Sequence, residues 1–335
     1  LPVTVPEMLA SPAVSPMRLV FVNGAFRADL SQMQQGTVGV AVQSLAAAFR
    51  RGQHNAVIER SLQAMQPLAA LPMVALNTAL FEDGLVIVAE PEVLDTVWIE
   101  AIFIGGGETP VAFAPRHCIQ VGEGSRVVLI EQHVSLPGSG YFANAVLQAD
   151  LQAGAALHHY RLVDCAKGAI NALTTAVNVD ANASYEGFSL LTGHGFSRLE
   201  SQIMLNGRKA ACTLGSAYHA DGDDVCDNTT WVEHRAPQTK SRQVYRGVID
   251  DKAHAVFQGR VLVTREADEA DGHQLSKALL LSDEAEIDQK PALEIYADNV
   301  KCSHGAATGS LDQRALFYLR SRGLPEEVAR QLLVD

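Results

Sequence analysis

The sequence is short of the residues that disulfides, resident metal sites and carbohydrate binding require. Its 335 residues include five cysteines, none in a Cys-x-x-Cys pair: Cys118, Cys165, Cys212, Cys226 and Cys302. An odd and widely spaced set of thiols argues against a disulfide framework, a zinc finger and a ferredoxin-type cluster motif. Aromatic residues make up 6% of the chain, which leaves few side chains to stack on a sugar substrate.

Positive charge and long apolar runs are scarce as well. Lys and Arg total 26 against 38 Asp and Glu, a formal net charge of −12. We therefore expect neither nucleic acid nor an anionic membrane as a primary partner. No apolar run reaches the roughly 18 residues of a membrane span, and the start, LPVTVPEMLASPAVSPM, lacks the charged region of a signal peptide. The composition predicts a cytoplasmic protein.

Signatures of common enzyme chemistries are missing too. Gly105-Gly106-Gly107 is not followed by Gly-Lys-Ser/Thr, and no Gly-x-Ser-x-Gly elbow occurs, so neither a P-loop ATPase nor a serine hydrolase is supported. The acidic run 221–224, near His219 and Cys226, departs from the calcium-binding EF-hand pattern because Val225 stands where an Asp or Asn is needed. We interpret this run as a solvated turn.

Residues 1 to about 90 mix helix and strand signals. LVFVNGAF (19–26) predicts two strands joined by a tight Asn23-Gly24 turn, and VQSLAAAFRRG (42–52) predicts a helix that glycine ends. ALNTALFEDGLVIVAE (75–90) predicts a helix, an Asp-Gly turn and a strand. This part of the chain therefore forms a mixed N-terminal unit.

From about 91 to 305, short strands follow one another with a recurring polar or glycine corner. The corners chosen as anchors are Gly124, Gly154, Asn182, Arg208, Lys252 and Glu284. Their spacing is near 30 residues except for one longer step, which two coils of about 22 residues would fill. Helix-free repeats of this length favour a parallel β-helix. A β-sandwich remains open, because its strands recur at similar intervals.

The C-terminal stretch 291–333 carries the most distinctive chemistry. Val300, Cys302 and His304 alternate with polar residues and would share one face of a strand. Two residues of strand span about 6.6 Å, so the Cys302 thiolate and the His304 imidazole can approach one metal centre, which they cannot complete alone. The competing interpretation is a buried thiol beside a structural imidazole.

Two short helices are predicted after this strand. Ser310 and Gln313 form a capping-box pattern, and Gly323 ends the first helix. Pro325 begins the second. The pair resembles a helix-turn-helix, but the acidic composition makes a protein-binding role the better interpretation.

The run DNVKCSHGAATG followed by LFYLRSRGL resembles the C-terminal signature of the SUF iron–sulfur cluster assembly proteins, the SufB/SufD family. SufB carries His-Glu-Ala-Thr where this chain has 304–307 as His-Gly-Ala-Ala, which favours the SufD branch. The resemblance extends upstream to the LNTAL run (76–80) with Asp83-Gly84, and to the His-x-x-Pro spacing within 231–241. It is therefore nearly full-length.

The resemblance implies a mainly β fold: a right-handed parallel β-helix core at 91–305 between a mixed α/β N-terminal unit at 1–90 and a C-terminal helical segment at 306–335. Family members carry a further N-terminal helical segment and a longer last helix. Together with the absent initiator methionine, this suggests a chain lacking parts of its terminal helical regions.

The resemblance also implies a function. The chain would be a non-catalytic scaffold that pairs with a SufB-type subunit at the end of its β-helix and, when isolated, with itself. A transient iron–sulfur cluster would form at that interface, with Cys302 and His304 as ligands, and none would be held stably by this chain alone. A SufC-type ATPase would dock on the C-terminal helices through Leu311, Phe317, Tyr318, Arg322, Leu324, Val328 and Leu332.

Two other functional classes stay open: a β-helix carbohydrate-active enzyme and a purely structural solenoid. The first would need paired acids, which only the run 221–224 offers. His234 is a weak candidate for iron, and His158 and His159 point to opposite faces of one strand, so we expect structural roles. The four cysteines other than Cys302 are predicted to be core residues.

Overall fold

The computed structural model describes residues 17–33, 38–64, 71–136 and 140–334. The strands are β1 (Met17–Val22), β2 (Ala25–Phe26), β3 (Gln32–Met33), β4 (Val40–Ser44), β5 (Leu85–Ala89), β6 (Val97–Gly105), β7 (Val111–Phe113), β8 (Arg116–Val121), β9 (Arg126–Ser135), β10 (Tyr141–Leu151), β11 (Ala156–Asp164), β12 (Ala169–Val179), β13 (Ser184–Leu191), β14 (Phe196–Leu205), β15 (Ala211–Ala220), β16 (Val225–His234), β17 (Lys240–Ile249), β18 (His254–Val263), β19 (Asp271–Leu280), β20 (Glu286–Ile295) and β21 (Lys301–Ser310). The helices are α1 (Leu45–Arg51), α2 (Asn55–Ala64), α3 (Pro72–Leu80), α4 (Gln313–Ser321) and α5 (Glu326–Val334).

The strands form two sheets that the chain visits in alternation. Sheet 1 has the order β2-β1-β6-β9-β11-β13-β15-β17-β19-β21, and sheet 2 has the order β20-β18-β16-β14-β12-β10-β8-β5-β4. From β6 onward every pairing is parallel, with each strand joined to the equivalent strand one coil away. The molecule is a parallel β-solenoid. The predicted β-helix is confirmed, and the β-sandwich is wrong.

Side-chain alternation builds the interior of the solenoid. In β17 and β18, buried and accessible residues alternate, and the buried ones face the space between the two sheets. In-register pairing stacks equivalent inward residues of successive coils, such as Val177, Ile203, Val232 and Val261. A continuous apolar column therefore runs along the axis.

One corner of each coil contains a residue in the left-handed conformation. These residues stack from coil to coil: Glu92, Gly124, Gly154, Asn182, Lys209, Gln238 and Glu269. Backbone bonds link them, as where Gly154 N donates to Ala181 O at 2.8 Å. The predicted coils of about 22 residues are wrong, because Lys252 and Glu284 belong to the opposite corner, which is built from similar turn residues.

The N-terminal elements match their predictions. Asn23 and Gly24 turn β1 into β2 with positive φ at both positions. Ser44 caps α1, and Gly52 ends it in the left-handed conformation. α1, α2 and α3 cover the outer face of sheet 2, where Leu45 and Ile58 belong to one buried cluster with Cys118.

The LNTAL run holds this covering together. The Asn77 amide donates to Pro115 O at 2.9 Å and to Asn144 O at 2.7 Å. Asn77 Oδ1 accepts from Arg116 Nε at 2.8 Å, and Thr78 Oγ1 accepts from Arg116 Nη2 at 2.5 Å. Arg116 is fully buried, and burial lowers the pKa of its guanidinium to about 10. The motif is therefore a buried clamp between α3 and sheet 2.

The C-terminal end differs from its prediction by a few residues. β21 continues to Ser310, past the proposed boundary at 305, because its small residues gave no alternation signal. The N-cap of α4 is Asp312, which accepts from the backbone of Arg314 and Ala315, and not Ser310. Among the residues described, no helix has the length and apolar character needed to cross a membrane.

β20 and β21 end the two sheets, and neither contains a buried residue. Their inward faces continue the interior rows, yet in the described part of the chain no further coil covers them. A side-chain hydrogen bond joins them, because Gln289 donates to Thr308 Oγ1 at 2.8 Å and more weakly to Ala307 O. The solenoid is open at this end.

Candidate functional site

Cys302 and His304 both lie in β21, on the open end. Parallel pairing with β19 sets Cys302 opposite Gly272 and His304 opposite Gln274. Gly272 and Gln274 are both on the inward, buried face of their strand. Cys302 and His304 therefore share the inward side of the last strand, as the alternation predicted.

The Cys302 thiol is half-buried and packs against the main core. Gly272 lies beside it on β19, where a methyl group would contact Cys302 Sγ at 3.5 Å and Ser241 Oγ at 3.3 Å. Burial raises the pKa of the Cys302 thiol above its usual range. The thiol is protonated at neutral pH, and a soft cation that bound it would displace the proton. His304 is exposed and accessible to such a cation.

His234 also lies beside Gly272, with Nε2 3.5 Å from the same methyl position. Its ring is fully buried, and both nitrogens are engaged: Nδ1 with Thr239 Oγ1 and Nε2 with Ser241 Oγ, each at 2.8 Å. Thr239 donates its own proton to Ala236 O, so Nδ1 carries the imidazole hydrogen. These bonds favour the structural interpretation of His234.

A buried polar cluster that was not predicted lies deeper in the solenoid. Glu131 accepts from His133 Nε2 at 2.5 Å, from His159 Nε2 at 2.6 Å and from an Arg161 Nη at 3.1 Å. Burial alone would raise the pKa of Glu131, but Arg161 and the two imidazoles hold it well below its usual range. The alternation of β9 could have shown that Glu131 and His133 both point inward.

Other histidines and cysteines occupy the positions that alternation predicts. His159 is buried, while His158 faces outward beside Glu186. The cysteines at 118, 165, 212 and 226 are buried, as predicted. Burial raises the pKa of Cys212 and of Cys226 to about 12, so these thiols are poor ligands and poor nucleophiles.

The acidic run 221–224 is more ordered than a solvated turn. Asp224 is buried and accepts from Gly195 N at 2.7 Å and from His194 Nδ1 at 3.0 Å, whereas exposed Asp223 pairs with Lys167. The solvated-turn prediction is wrong for Asp224, because its carboxylate caps the corner of the neighbouring coil. The bond to Asp224 raises the pKa of His194. The Asp224 carboxylate is therefore held by hydrogen bonds within the fold and does not face a substrate groove.

The triple glycine also has a structural explanation. A methyl group on Gly105 would lie 2.6 Å from the Tyr141 ring, so only glycine fits where β6 passes that side chain.

The two C-terminal helices present an apolar surface. Phe317, Tyr318, Val328 and Leu332 are exposed, and Arg322 stacks on the Tyr318 ring at 5.1 Å. Leu324 is half-buried. Leu311, by contrast, is buried, so its side chain is not available to a partner.

Comparison with known proteins identifies the family. The model for the SUF system FeS cluster assembly SufBD core domain matches residues 103–335, and the model for the SufBD protein N-terminal region matches residues 10–96. The chain belongs to the SufBD family. Its members take part in iron–sulfur cluster assembly.

Individual SufBD relatives agree with this. The iron–sulfur cluster assembly protein SufD of Escherichia coli is 35% identical over 219 residues, which is 65% of this chain and 52% of that protein. A SufBD family protein of Synechocystis is 29% identical over 347 residues, covering 100% of this chain and 75% of its own. The chloroplastic protein ABCI7 of Arabidopsis thaliana is 32% identical over 223 residues, 66% of this chain and 47% of its own. The chain thus spans about half the length of SufD and ABCI7.

Proposed function

We propose that this chain is a non-catalytic scaffold subunit that pairs with a SufB-type protein and, at their interface, carries a nascent iron–sulfur cluster. The observation that supports it is the open end of the solenoid. Cys302 and His304, the thiol and imidazole that the sequence singled out, lie side by side on its last strand.

The open end supplies a physical reason to bind a partner. β20 and β21 are ten residues long, and each has one strand edge without a neighbouring strand in the described part of the chain. Their inward faces are accessible, and that of β20 carries Ile287 and Leu293. A long strand edge readily pairs with another chain. A second solenoid that added its last strands there would cover both the backbone groups and the apolar side chains.

Such a partner would also complete the cluster site. Cys302 and His304 supply one thiolate and one imidazole, and a cluster needs further thiolate or carboxylate ligands. Cluster binding would remove the Cys302 proton, whose pKa burial has raised. A site shared between two chains opens when they separate, which suits assembly and release of a transient cargo.

The C-terminal helices would dock a SufC-type ATPase, which would drive that separation. Their exposed apolar residues are available for such a contact: Phe317, Tyr318, Val328 and Leu332. Exposed apolar patches of this kind mark protein interaction sites. The ATP chemistry would belong to the partner, because this chain has no P-loop motif.

The test is to co-produce the chain with SufB-type and SufC-type subunits, purify the complex without oxygen, and measure iron, sulfide and the absorption spectrum. We expect Cys302→Ala and His304→Ala to lower cluster content at least about tenfold while the complex still forms, because each removes one ligand. Ser303→Ala is the matched control, since Ser303 lies between the two and faces outward to His273.

Three outcomes would count against parts of the proposal. Full cluster content in both variants would reduce the chain to a partner-holding scaffold without ligands. An equal loss in Ser303→Ala would assign the effect to the strand and not to the thiol and imidazole. Failure of the unaltered chain to form a complex would remove the scaffold function altogether.

A further inference from the structure

An apolar row crosses the outer face of sheet 2, well away from Cys302 and His304. Phe142, Ile170, Phe196 and Val225 are directly in register on the neighbouring strands β10, β12, β14 and β16. Each side chain points away from the interior, and Ile170 and Phe196 are 45% and 37% exposed. Four adjacent large apolar side chains on an outer face form a patch that the fold itself does not require.

The row ends in a pocket. Phe142 lines a cavity of about 270 Å³ together with Leu76, Leu80 and Phe113. Leu80, at the end of α3, is 58% exposed. Asp83 in this pocket is used within the chain, because it accepts from three backbone amides, those of Phe26, Ala46 and Gly84, whereas Asn144 Oδ1 is buried without a hydrogen-bond partner among the described residues. The four large apolar residues of its lining offer contact for a large side chain.

Acidic groups lie at two places around the row, at the corner beyond its β16 end and at the mouth of the pocket. The corner before β16 carries Asp221 and Asp223, and the corners before β18 and β20, one and two coils beyond the row, carry Asp251, Asp283 and Glu284. Some of these acids have a cationic or imidazole partner within the chain: Asp223 pairs with Lys167, Glu284 with Lys252 and Asp221 with His194. Glu82 adds an exposed carboxylate at the mouth of the pocket. The surface is therefore apolar along its centre, and acidic residues outnumber lysines at its corner.

The geometry favours a helix over a strand as the occupant. Parallel strands about 4.8 Å apart give a row about 14 Å long, which about ten residues of α-helix would cover. Side chains three and four apart on a helix are about 5–6 Å from each other, close to the strand spacing. A strand would need a sheet edge, and the row lies on a sheet face.

We infer that this row and its pocket, residues 76, 80, 113, 142, 170, 196 and 225, bind a basic amphipathic helix of a partner protein. The apolar face of the helix lies along the row, and one large apolar side chain enters the pocket. Lys or Arg residues on its flanks face the acidic corner and Glu82. This surface is separate from the open end of the solenoid and from the C-terminal helices, so it does not depend on the scaffold proposal.

The probe is a labelled peptide of about 14 residues with leucine on one helical face and lysine on the other. We expect it to bind the chain, and Ile170→Lys and Phe196→Lys each to weaken binding about tenfold or more, because a charge replaces an anchor of the row. Phe188→Lys is the matched control: Phe188 is 41% exposed on the outer face of sheet 1, with the same size and charge change. We expect that variant to bind as the unaltered chain does.

Charge selectivity is the second readout. The same peptide with glutamate in place of lysine should not bind, and a rising salt concentration should weaken the binding of the lysine peptide. Equal loss in Phe188→Lys, unchanged binding in both row variants, or equal binding of the glutamate peptide would each overturn the proposal. So would a shift from dimer to monomer in Phe196→Lys by light scattering, which would make a second copy of this chain the occupant.

Discussion

The two ends of the solenoid are built on opposite plans. In the first coil, every residue of β5 and all but one of β6 are buried, and α1 and α2 cover the outer face of sheet 2 at this end. In the last coil, β20 and β21 contain no buried residue, although their inward side chains continue the same rows. The strands are therefore covered at one end of the solenoid and accessible at the other.

The difference has an energetic meaning. An exposed strand edge and an uncovered inward face forgo the burial that stabilises every other coil. The first coil shows that this chain has the means to cover an end, with antiparallel β4 beside β5 and helices across the sheet. We interpret the open end as reserved for a partner, which would supply the missing burial and the missing cluster ligands together.

The largest difference in the free energy of unfolding is expected between truncating a leucine inside the solenoid and truncating one at its open end. Leu205 is fully buried in sheet 2, and Leu293 is half-buried on the inward side of β20. Leu205→Ala should lower the free energy of unfolding by about 3 kcal/mol, because it leaves a cavity. Leu293→Ala should cost less than about 1 kcal/mol, because water already reaches it. Urea unfolding of the isolated chain measures both, and equal losses would contradict the open end.

A smaller loss is expected from the clamp that covers the closed end. Asn77→Ala removes three hydrogen bonds and leaves the Arg116 Nε donor without its acceptor. We expect the free energy of unfolding to fall by about 2 kcal/mol. Asn206→Ala, at an exposed corner, is the control and should change it by less than about 0.5 kcal/mol. A similar loss in the control would mean that the buried hydrogen bonds of Asn77 stabilise the fold no more than those of an exposed amide do.

The smallest effect is a loss of stability at acid pH, which we expect to arise in the covered part of the solenoid. Burial lowers the pKa of His117 to about 3 from an ordinary 6.5, while its Nδ1 accepts from Leu85 N. The unfolded chain therefore takes up the proton first. The stabilising contribution is complete above pH 6.5 and is lost as the pH falls toward 3, by about 1.5 kcal/mol between pH 6.5 and pH 5.

His117→Gln removes that titration and keeps an acceptor for the Leu85 amide. We expect the urea midpoint of this variant to change less between pH 6.5 and pH 5 than that of the unaltered chain. His254, which is on the outer face of β18 and partly exposed, serves as the comparison, and His254→Gln should retain the acid sensitivity. Identical pH profiles for all three proteins would show that the buried imidazole is not the group responsible.

Much of the architecture follows from local sequence signals. The strand alternation and the recurring corners favoured a parallel solenoid over a sandwich, and the family resemblance decided between them. The Asn-Gly and Asp-Gly turns predicted the N-terminal strands. The corner spacing failed where Lys252 and Glu284 were counted with the other corner, because both corners use the same small and polar residues. The end of β21 was missed since a run of glycine, alanine and threonine has no apolar alternation.

Part of the candidate site could be predicted from the sequence. Alternation correctly assigned Cys302 and His304 to one side of a strand, and the clustering of both at the end of the solenoid followed from the change to helical periodicity after them. The Glu131 cluster needed tertiary pairing, because His159 and Arg161 come from the neighbouring coil. Likewise, the burial of Asp224 depends on His194 and Gly195 one coil away.

Hydrogen exchange of the chain, alone and bound to a SufB-type subunit, tests the central claim most directly. Alone, the amides of β20 and β21 that do not face β18 or β19 should exchange rapidly, and those of β16 and β17 slowly. In the complex, β20 and β21 should become protected while β5 and β6 remain unchanged. Protection confined to the closed end or to the outer faces, with rapid exchange persisting in β20 and β21, would contradict the account.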